Sequence, residues 1–317
     1  MSVSFISAIR AERAARVPCD HGLRFPPRKS GGFRCAAALG WRPDSKAPMS
    51  PAPPRDTTYW DQLADTWQAQ RPQRLWRRYS DALNVALVAR WLPDRPLTRV
   101  LKTDLFDEAV SEGLYPALAA RATHVVAIDL SRATALLACR KYPDLCVVPA
   151  DARQLPFADH SFDLILSNST LDHFEAEASI SIALRELCRT LRPDGYLLLT
   201  MDNLDNPLVW LRNHLPASWL GRLGVVPYKM GKTTGMRGLH AMVRSAGLEV
   251  LRATAILHCP RVLAVAAAAW LQPGQDASRI QPEFLRALRA FERLERLPTR
   301  YLTGHFVALL ARKPADR

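Results

Sequence analysis

Four short stretches of this 317-residue chain, each directly after an apolar run, hold side chains fit for chemistry. Asp129 closes the run Val125-Val126-Ala127-Ile128 and precedes Leu130 and Ser131. A carboxylate at such a strand end can accept hydrogen bonds from two ribose hydroxyls. Its structural alternative is an acid that only helps start the next helix. Asp151 and Ala152 follow Val147-Val148-Pro149-Ala150. There a carboxylate can accept from an adenine amino group while the next backbone N–H meets a ring nitrogen, or it can simply be a solvated loop acid. Asn168 to His173 come after a third run, and within them Asp172 and His173 are the candidates for a general base, His having an unperturbed pKa suited to neutral pH. The alternative is that Leu171-Asp172-His173-Phe174 begins a helix. The last stretch, Lys102 to Gly113, carries Asp104, Asp107, Glu108 and Glu112 and no glycine before Gly113.

The apolar runs predict strands at Arg99 to Thr103, His124 to Ile128, Leu145 to Val148, Phe162 to Ser167 and Tyr196 to Met201, with helices at Leu114 to Arg121, Ser131 to Lys141 and Ile180 to Leu191 between them. Strand and helix in alternation imply an α/β fold with a doubly wound, mostly parallel sheet, covered on both faces. Two later strands, Leu248 to Ile256 and Gly304 to Ala311, raise the sheet to seven. In such sheets ligands bind outside the carboxyl ends of the strands, which is where the four stretches fall. Before the first strand, residues 57–98 read as a helical cap, and residues 99–317 as the α/β domain. A helical insertion at about 258–300 holds helices at Arg261 to Leu271 and Pro282 to Leu297.

Four motifs, in order, give the chain a resemblance to a known family. They are Val126-Ala-Ile-Asp-Leu-Ser131, Asp151-Ala-Arg-Gln-Leu-Pro-Phe157, Ser161-Phe-Asp-Leu-Ile-Leu-Ser-Asn168 and Leu187-Cys-Arg-Thr-Leu-Arg-Pro-Asp-Gly-Tyr-Leu-Leu-Leu-Thr200. Together they resemble the class I S-adenosylmethionine-dependent methyltransferases, of the small-molecule kind called methyltransferase type 11, from roughly Tyr59 to Pro314. The resemblance implies a Rossmann-like fold and S-adenosyl-L-methionine as cofactor. It implies that Asp129, with Leu130 beside it, holds the ribose, that Asp151 and Ala152 hold the adenine, and that Asn168 faces the methyl donor. The first motif departs from the family, whose first strand normally leads into a glycine-rich turn. Two readings stay open. Gly113 stands for the last glycine of that turn and Asp104 meets the cofactor's ammonium and sulfonium charges, or the bulkier side chains fill the cofactor's space and the site is dead.

On the substrate side, the resemblance implies that Trp60, Trp67, Trp76 and Tyr79 belong to a lid or pocket. Interleaved with Arg71, Arg74, Arg77 and Arg78, they could instead stack bases and track phosphates, or simply be buried faces of helices. Asp202 to Pro207 is expected at the rim, with Tyr228, Lys229 and Lys232 in an irregular stretch that could reach an anionic substrate. The stripe Phe284, Leu285, Leu288, Phe291, Leu294 and Leu297, flanked by Arg286, Arg289, Arg293 and Arg296, packs on its own domain or lies on an anionic membrane surface. His258 and His305 read as structural.

Composition narrows the classes. With 48% hydrophobic and 23% charged residues the chain is globular, and its longest apolar run, Val262 to Leu271, is half a membrane span. Of the net charge of +13, residues 1–56 carry ten Lys/Arg against four Asp/Glu. That stretch reads as a disordered basic tail, with Met49 as an alternative start. With so much of the charge in that tail, nucleic acid is an option and not the expected partner. The six cysteines form no CxxC pair, which points away from a zinc site and toward a reducing, cytoplasmic location. The expected function is methyl transfer to a small-molecule acceptor, lipid-like or quinone-like. A catalytically silent binding protein and an RNA methyltransferase are its rivals. Acceptor identity and oligomeric state are not encoded legibly.

Overall fold

The computed structural model describes residues 54–70, 73–92, 94–215, 231–271 and 277–315. Helices α1 (Pro54–Gln70) and α2 (Arg74–Trp91) precede strand β1 (Leu97–Lys102). Two short helices follow, α3 (Phe106–Val110) and α4 (Tyr115–Ala119), then β2 (Ala122–Asp129), α5 (Arg132–Lys141), β3 (Cys146–Pro149) and β4 (Phe162–Asn168). After a 3-10 turn at Leu171–His173 come α6 (Glu177–Thr190), β5 (Leu191–Asp202), α7 (Pro207–His214), α8 (Met236–Ser245) and β6 (Glu249–Ile256). The insertion consists of α9 (Arg261–Leu271), α10 (Ala277–Ala290), a 3-10 turn at Phe291–Arg296 and α11 (Arg300–Thr303), and the last strand is β7 (Phe306–Arg312). Of the expected tail, the last residues already belong to α1 and the rest lies outside the described residues.

The sheet has seven strands in the order β3-β2-β1-β4-β5-β7-β6. β1 to β5 are parallel to their neighbours, and β7 runs antiparallel between β5 and β6. The inner strands are apolar on both faces because both are covered. Val100, Val125, Ala127, Leu164 and Leu198 face the helices α2, α9 and α10. Their sequence neighbours Leu101, Val126, Ile165, Leu197 and Leu199 face α6 and α8, the two-residue period of a strand. Strand order reverses between β1 and β4, so the crevice for a ligand opens at their carboxyl ends.

The insertion is fastened to α2 rather than laid on a free surface. Phe284, Leu285 and Leu288 of α10 pack into the core with α2 residues. The Tyr79 hydroxyl donates to Glu292 Oε1 at 2.6 Å, and Arg90 makes a paired contact to Glu295 at 2.6 and 2.9 Å. Of the two readings of the apolar stripe, packing on its own domain is the one seen for Phe284, Leu285 and Leu288, although Phe291 and Leu297 stay exposed. α10 also begins before Pro282, which lies inside the helix and not at its first turn.

The segment after β1 is built on charge. Lys102 is 1% exposed, and its ammonium lies 2.9 Å from Glu108 Oε2 and 3.3 Å from Asp104 Oδ2. It also donates to the Asp104 carbonyl at 2.6 Å. Glu108 Oε1 accepts from Leu114 N at 2.8 Å and Tyr115 N at 3.0 Å, at the start of α4. Gly113, at φ +63°, passes so close to Glu108 that a Cβ would stand 2.6 Å from its carboxyl carbon; only glycine fits. Asp81 of α2 accepts from Ser111 Oγ at 2.7 Å and Gly113 N at 3.1 Å.

Removing one member of a buried ion pair leaves the other charge uncompensated, at about 3–5 kcal/mol. Lys102→Met is thus expected to lower the urea-unfolding free energy by about that amount. Adding Glu108→Gln should restore more than half of the loss, because the amide oxygen still accepts from Leu114 and Tyr115 and the fully buried carboxylate is no longer stranded, leaving only Asp104 to take up a proton. Equal losses in the single and double variants would show that the ion pair does not hold this segment.

Candidate active site

A cavity of about 360 Å³ opens at the carboxyl ends of β1 to β4, within the range of roughly 300–1,000 Å³ typical of small-molecule sites. Its floor is Thr103, Asp104, Asp129, Asp151 and Asn168, and its roof comes from α1 and α2. Leu105 is fully buried in the core and Phe106 stands in the wall. The side chains that replace the expected glycines therefore leave this space open.

Asp129 is fixed from both sides. Its Oδ1 accepts from Ser131 N at 2.7 Å and its Oδ2 from Leu105 N at 2.8 Å. Each oxygen keeps one lone pair for a ligand hydroxyl. Ser131 caps α5 through Thr134 N, so the structural role weighed for this acid and the ligand role coexist. Burial pushes the Asp129 carboxyl up to about 7 against the help of these N–H donors. Burial likewise raises Asp104 to about 6. Lys102 keeps its proton well above its ordinary range, because Asp104, Glu108 and Asp107 outweigh its own burial. One ammonium shared by these acids cannot neutralise them all, and the excess appears as the raised Asp104.

Leu130, Ala152 and Asn168 also line the cavity. Asn168 is positioned at both ends, its amide donating to Asp107 Oδ2 at 3.3 Å and its oxygen accepting from Thr200 Oγ1 at 2.8 Å. Asp151 is closed into a local turn, accepting from Arg153 N at 2.8 Å and pairing with its guanidinium at 2.5 Å. Gly113 is not among the cavity's lining residues. Its glycine character is explained by Glu108, which corrects its expected place beside a cofactor.

His173 lines the cavity and meets Trp60 edge to face, with ring centroids 4.9 Å apart. Asp172, next to it, does not line the cavity. It is 4% exposed, and its Oδ2 accepts from Ser169 Oγ and Asp202 N, each at 2.9 Å. The 3-10 turn sends the two side chains different ways, so of the expected bases only His173 reaches the cavity. Gly231 supports that turn, donating its N–H to the Asp172 carbonyl at 3.0 Å. Of the irregular stretch, Tyr228 and Lys229 lie outside the described residues, while Lys232 N donates to the Phe174 carbonyl at 2.7 Å.

The roof contains residues that local sequence reading did not assign to the site. Asp61 of α1 accepts from Ser131 Oγ and from Ala133 N, tying the roof to the helix beyond Asp129. Arg77 of α2 pairs with Asp107 at 2.6 Å, its guanidinium 4.5 Å from the Trp67 ring centre and 4.8 Å from that of Phe106. Trp67, Trp76 and Tyr79 are 2%, 5% and 1% exposed, so they pack as roof and offer no bare stacking platform to a nucleic acid. At the other end, Arg261 of α9 and Phe306 of β7 complete the wall. These contacts join segments far apart in the chain, and only the aromatic spacing before β1 hinted at them. His258 is structural as expected, one ring nitrogen 2.7 Å from Thr303 Oγ1 and the other 2.9 Å from the Ala255 carbonyl. Among the described residues, no helix is long and apolar enough to cross a membrane.

Known proteins agree with this architecture. Residues 106–199 match a family described as a methyltransferase domain. The match starts inside the stretch Lys102 to Gly113, where the first motif departs. A malonyl-acyl-carrier-protein O-methyltransferase from Erwinia billingiae is 34% identical over 100 residues, 32% of this chain and 37% of that protein. A demethylmenaquinone methyltransferase from Beutenbergia cavernae is 37% identical over 128 residues, 40% of this chain and 46% of that protein. The chain thus spans less than half the length of these two relatives. In structure, an S-adenosylmethionine-dependent methyltransferase from Thermotoga maritima, a possible histamine N-methyltransferase, superposes with a TM-score of 0.54 at 17% identity, over 81% of this chain and 99% of that one. That likeness shows the fold. The matched segment lies in the middle of the seven-stranded sheet, so the chain carries a stretch similar to a methyltransferase domain on a Rossmann-like methyltransferase fold.

Proposed function

We propose that this chain transfers a methyl group from S-adenosylmethionine to a small-molecule acceptor. One observation carries the reading. Asp129 stands at the end of β2 with both oxygens fixed and facing a cavity that also contains Asp151 and Ala152. The relatives named for malonyl-acyl-carrier protein and demethylmenaquinone support an acceptor of the same general kind, lipid-like or quinone-like.

The residues fit the cofactor in shape and in charge. Asp129 would accept from the ribose hydroxyls through its remaining lone pairs, and Asp151 with the Ala152 N–H would hold the adenine. Asp104 and Asp107 bring negative charge to the floor, where it favours a cationic ligand. When bound there, the cofactor supplies a methyl group already activated on a sulfonium. The protein's own share is alignment, for which proximity is worth about 7–11 kcal/mol, and removal of a proton. His173 would take that proton from a hydroxyl acceptor on its imidazole, worth about 10²–10⁴-fold in rate. Asp172 acts as a positioning residue in the same turn.

Methyl-labelled S-adenosylmethionine incubated with the protein and a cell extract should raise label in the small-molecule or acyl-carrier fraction above that of the extract alone, with label in RNA unchanged. Label in RNA instead would overturn the acceptor class, and no transfer to any fraction would count against the enzyme. Asp129→Asn should weaken cofactor binding by calorimetry about 10- to 150-fold, the loss of a charged hydrogen-bond partner at about 1.5–3 kcal/mol. Wild-type affinity in that variant would remove the ribose assignment.

Cofactor affinity should also rise with pH. The free protein holds protons on Asp129 below about 7 and on Asp104 below about 6. A cationic ligand favours their ionised forms, so binding must release those protons. Calorimetry between pH 5.5 and 7.5 should therefore show the dissociation constant falling as pH rises, with proton release into the buffer. A flat profile would contradict this electrostatic account.

A further inference from the structure

We infer that the acceptor carries an anionic oxygen group, a carboxylate or a phosphate, held by Arg261 and Asn84 at the α2–α9 end of the cavity. The inference rests on the methyltransferase reading and names the chemistry of its acceptor.

Three guanidiniums line the cavity, and two of them, Arg77 and Arg153, pair with its own acids Asp107 and Asp151. Its floor at the ends of β1 and β2 is acidic, with Asp104, Asp107 and Asp129. Its other end is formed by one stripe of α2, Trp76, Ser80 and Asn84, together with Arg261 and Phe306. α9 packs directly on α2, and the Arg261 guanidinium stands 5.9 Å from the Trp76 ring centre. Asn84 is 5% exposed and lines the cavity, and its side chain makes no hydrogen bond to any described residue. Its amide therefore keeps its donors and acceptor for whatever occupies the cavity. Ser80, one helical turn earlier on the same stripe, adds a hydroxyl.

Arg261 is held in place from behind. His305 Nε2 lies 3.1 Å from Arg261 Nη1 and 3.4 Å from Asp202 Oδ1. Burial lowers the His305 pKa against the pull of Asp202, and its Nε2 stands between the guanidinium and the carboxylate. Asp202 pairs with Arg212 at 2.5 Å. Burial opposes its charge, yet Arg212, His305 and Arg261 outweigh burial and hold the carboxyl far below its ordinary range. In this cluster one carboxylate faces two guanidiniums, and the guanidinium that lines the cavity is Arg261. A preorganised guanidinium fork and an amide donor recognise planar or tetrahedral oxyanions. Trp76 and Phe306 provide apolar walls for whatever bears the anion.

The test uses the full chain saturated with S-adenosylhomocysteine and three fragments of similar body, benzoate, phenyl phosphate and benzyl alcohol, titrated by ligand-observed NMR. Benzoate or phenyl phosphate should bind at least tenfold more tightly than the neutral alcohol, and the tighter of the two identifies the anion. Arg261→Ala should abolish that preference and Arg261→Lys should keep part of it. Asn84→Asp, nearly isosteric, should weaken anion binding at least tenfold with the melting temperature little changed. Equal binding of alcohol and anions, or wild-type anion binding in Arg261→Ala, would overturn the inference. S-adenosylmethionine affinity is measured in every variant. Its loss in wild type alongside Arg261-dependent anion binding would sink the methyltransferase reading and leave the anion site standing.

Discussion

A buried ammonium at the point where strand order reverses governs the rest of this site. Burying a lone charge costs several kcal/mol even after relaxation, so Lys102 at the end of β1 obliges an acid to return to it. Glu108 does so because α3 folds the chain back within a few residues. Its second oxygen then receives the first N–H groups of α4. The close approach demands glycine at 113, and Asp81 closes the segment from the roof. A glycine-rich turn would shape this loop by letting backbone come near the ligand. Here paired charges shape it, and the Leu105 N–H they present to Asp129 joins the ends of β1 and β2.

That solution leaves the native state with more acid than it can comfortably ionise. Asp81 and Asp129 are raised to about 7 and Asp104 to about 6, each first by burial. A carboxyl whose folded pKa lies above its unfolded value binds protons more tightly when folded. Its contribution favours folding below the unfolded pKa and is lost as pH rises toward the folded one. Between about pH 4 and pH 7 these three groups therefore work against stability in the ligand-free protein. A cation in the cavity offsets the effect at Asp104 and Asp129, which line it, so affinity and stability are coupled through those two carboxyls. The roof shares in this coupling, since Asp81 and Arg77 reach the floor from α2.

The parallel strands were legible because burial on both faces makes them continuous apolar runs, and Asp129 because a strand end followed by a capping serine is a local signal. Where the answer depended on distant partners, sequence was silent. Asn84, Asp61 and Arg261 belong to elements outside the central strand–helix units, and nothing beside them in the chain marks them as cavity residues. Asp172 and His173 looked equivalent as neighbours. A 3-10 turn, entered through Ser169 at φ 49°, separates them and leaves one in the cavity and the other under it. Gly113 was tied to the family's glycine turn by position, whereas its environment is a carboxylate.

Departure from the family pattern and a working cavity are compatible for a physical reason. The floor gathers Asp104, Asp107, Glu108 and Asp129 against the cations Lys102 and Arg77, leaving net negative charge when all are ionised. An arrangement that merely filled the space would place apolar side chains there, since packing costs less than unneutralised acids. Instead Leu105 and Glu108 turn into the core, and Asp104, Asp107 and Asp129 line the open volume. The surplus of acid on the floor would favour a cationic donor there before any contact specific to it is made.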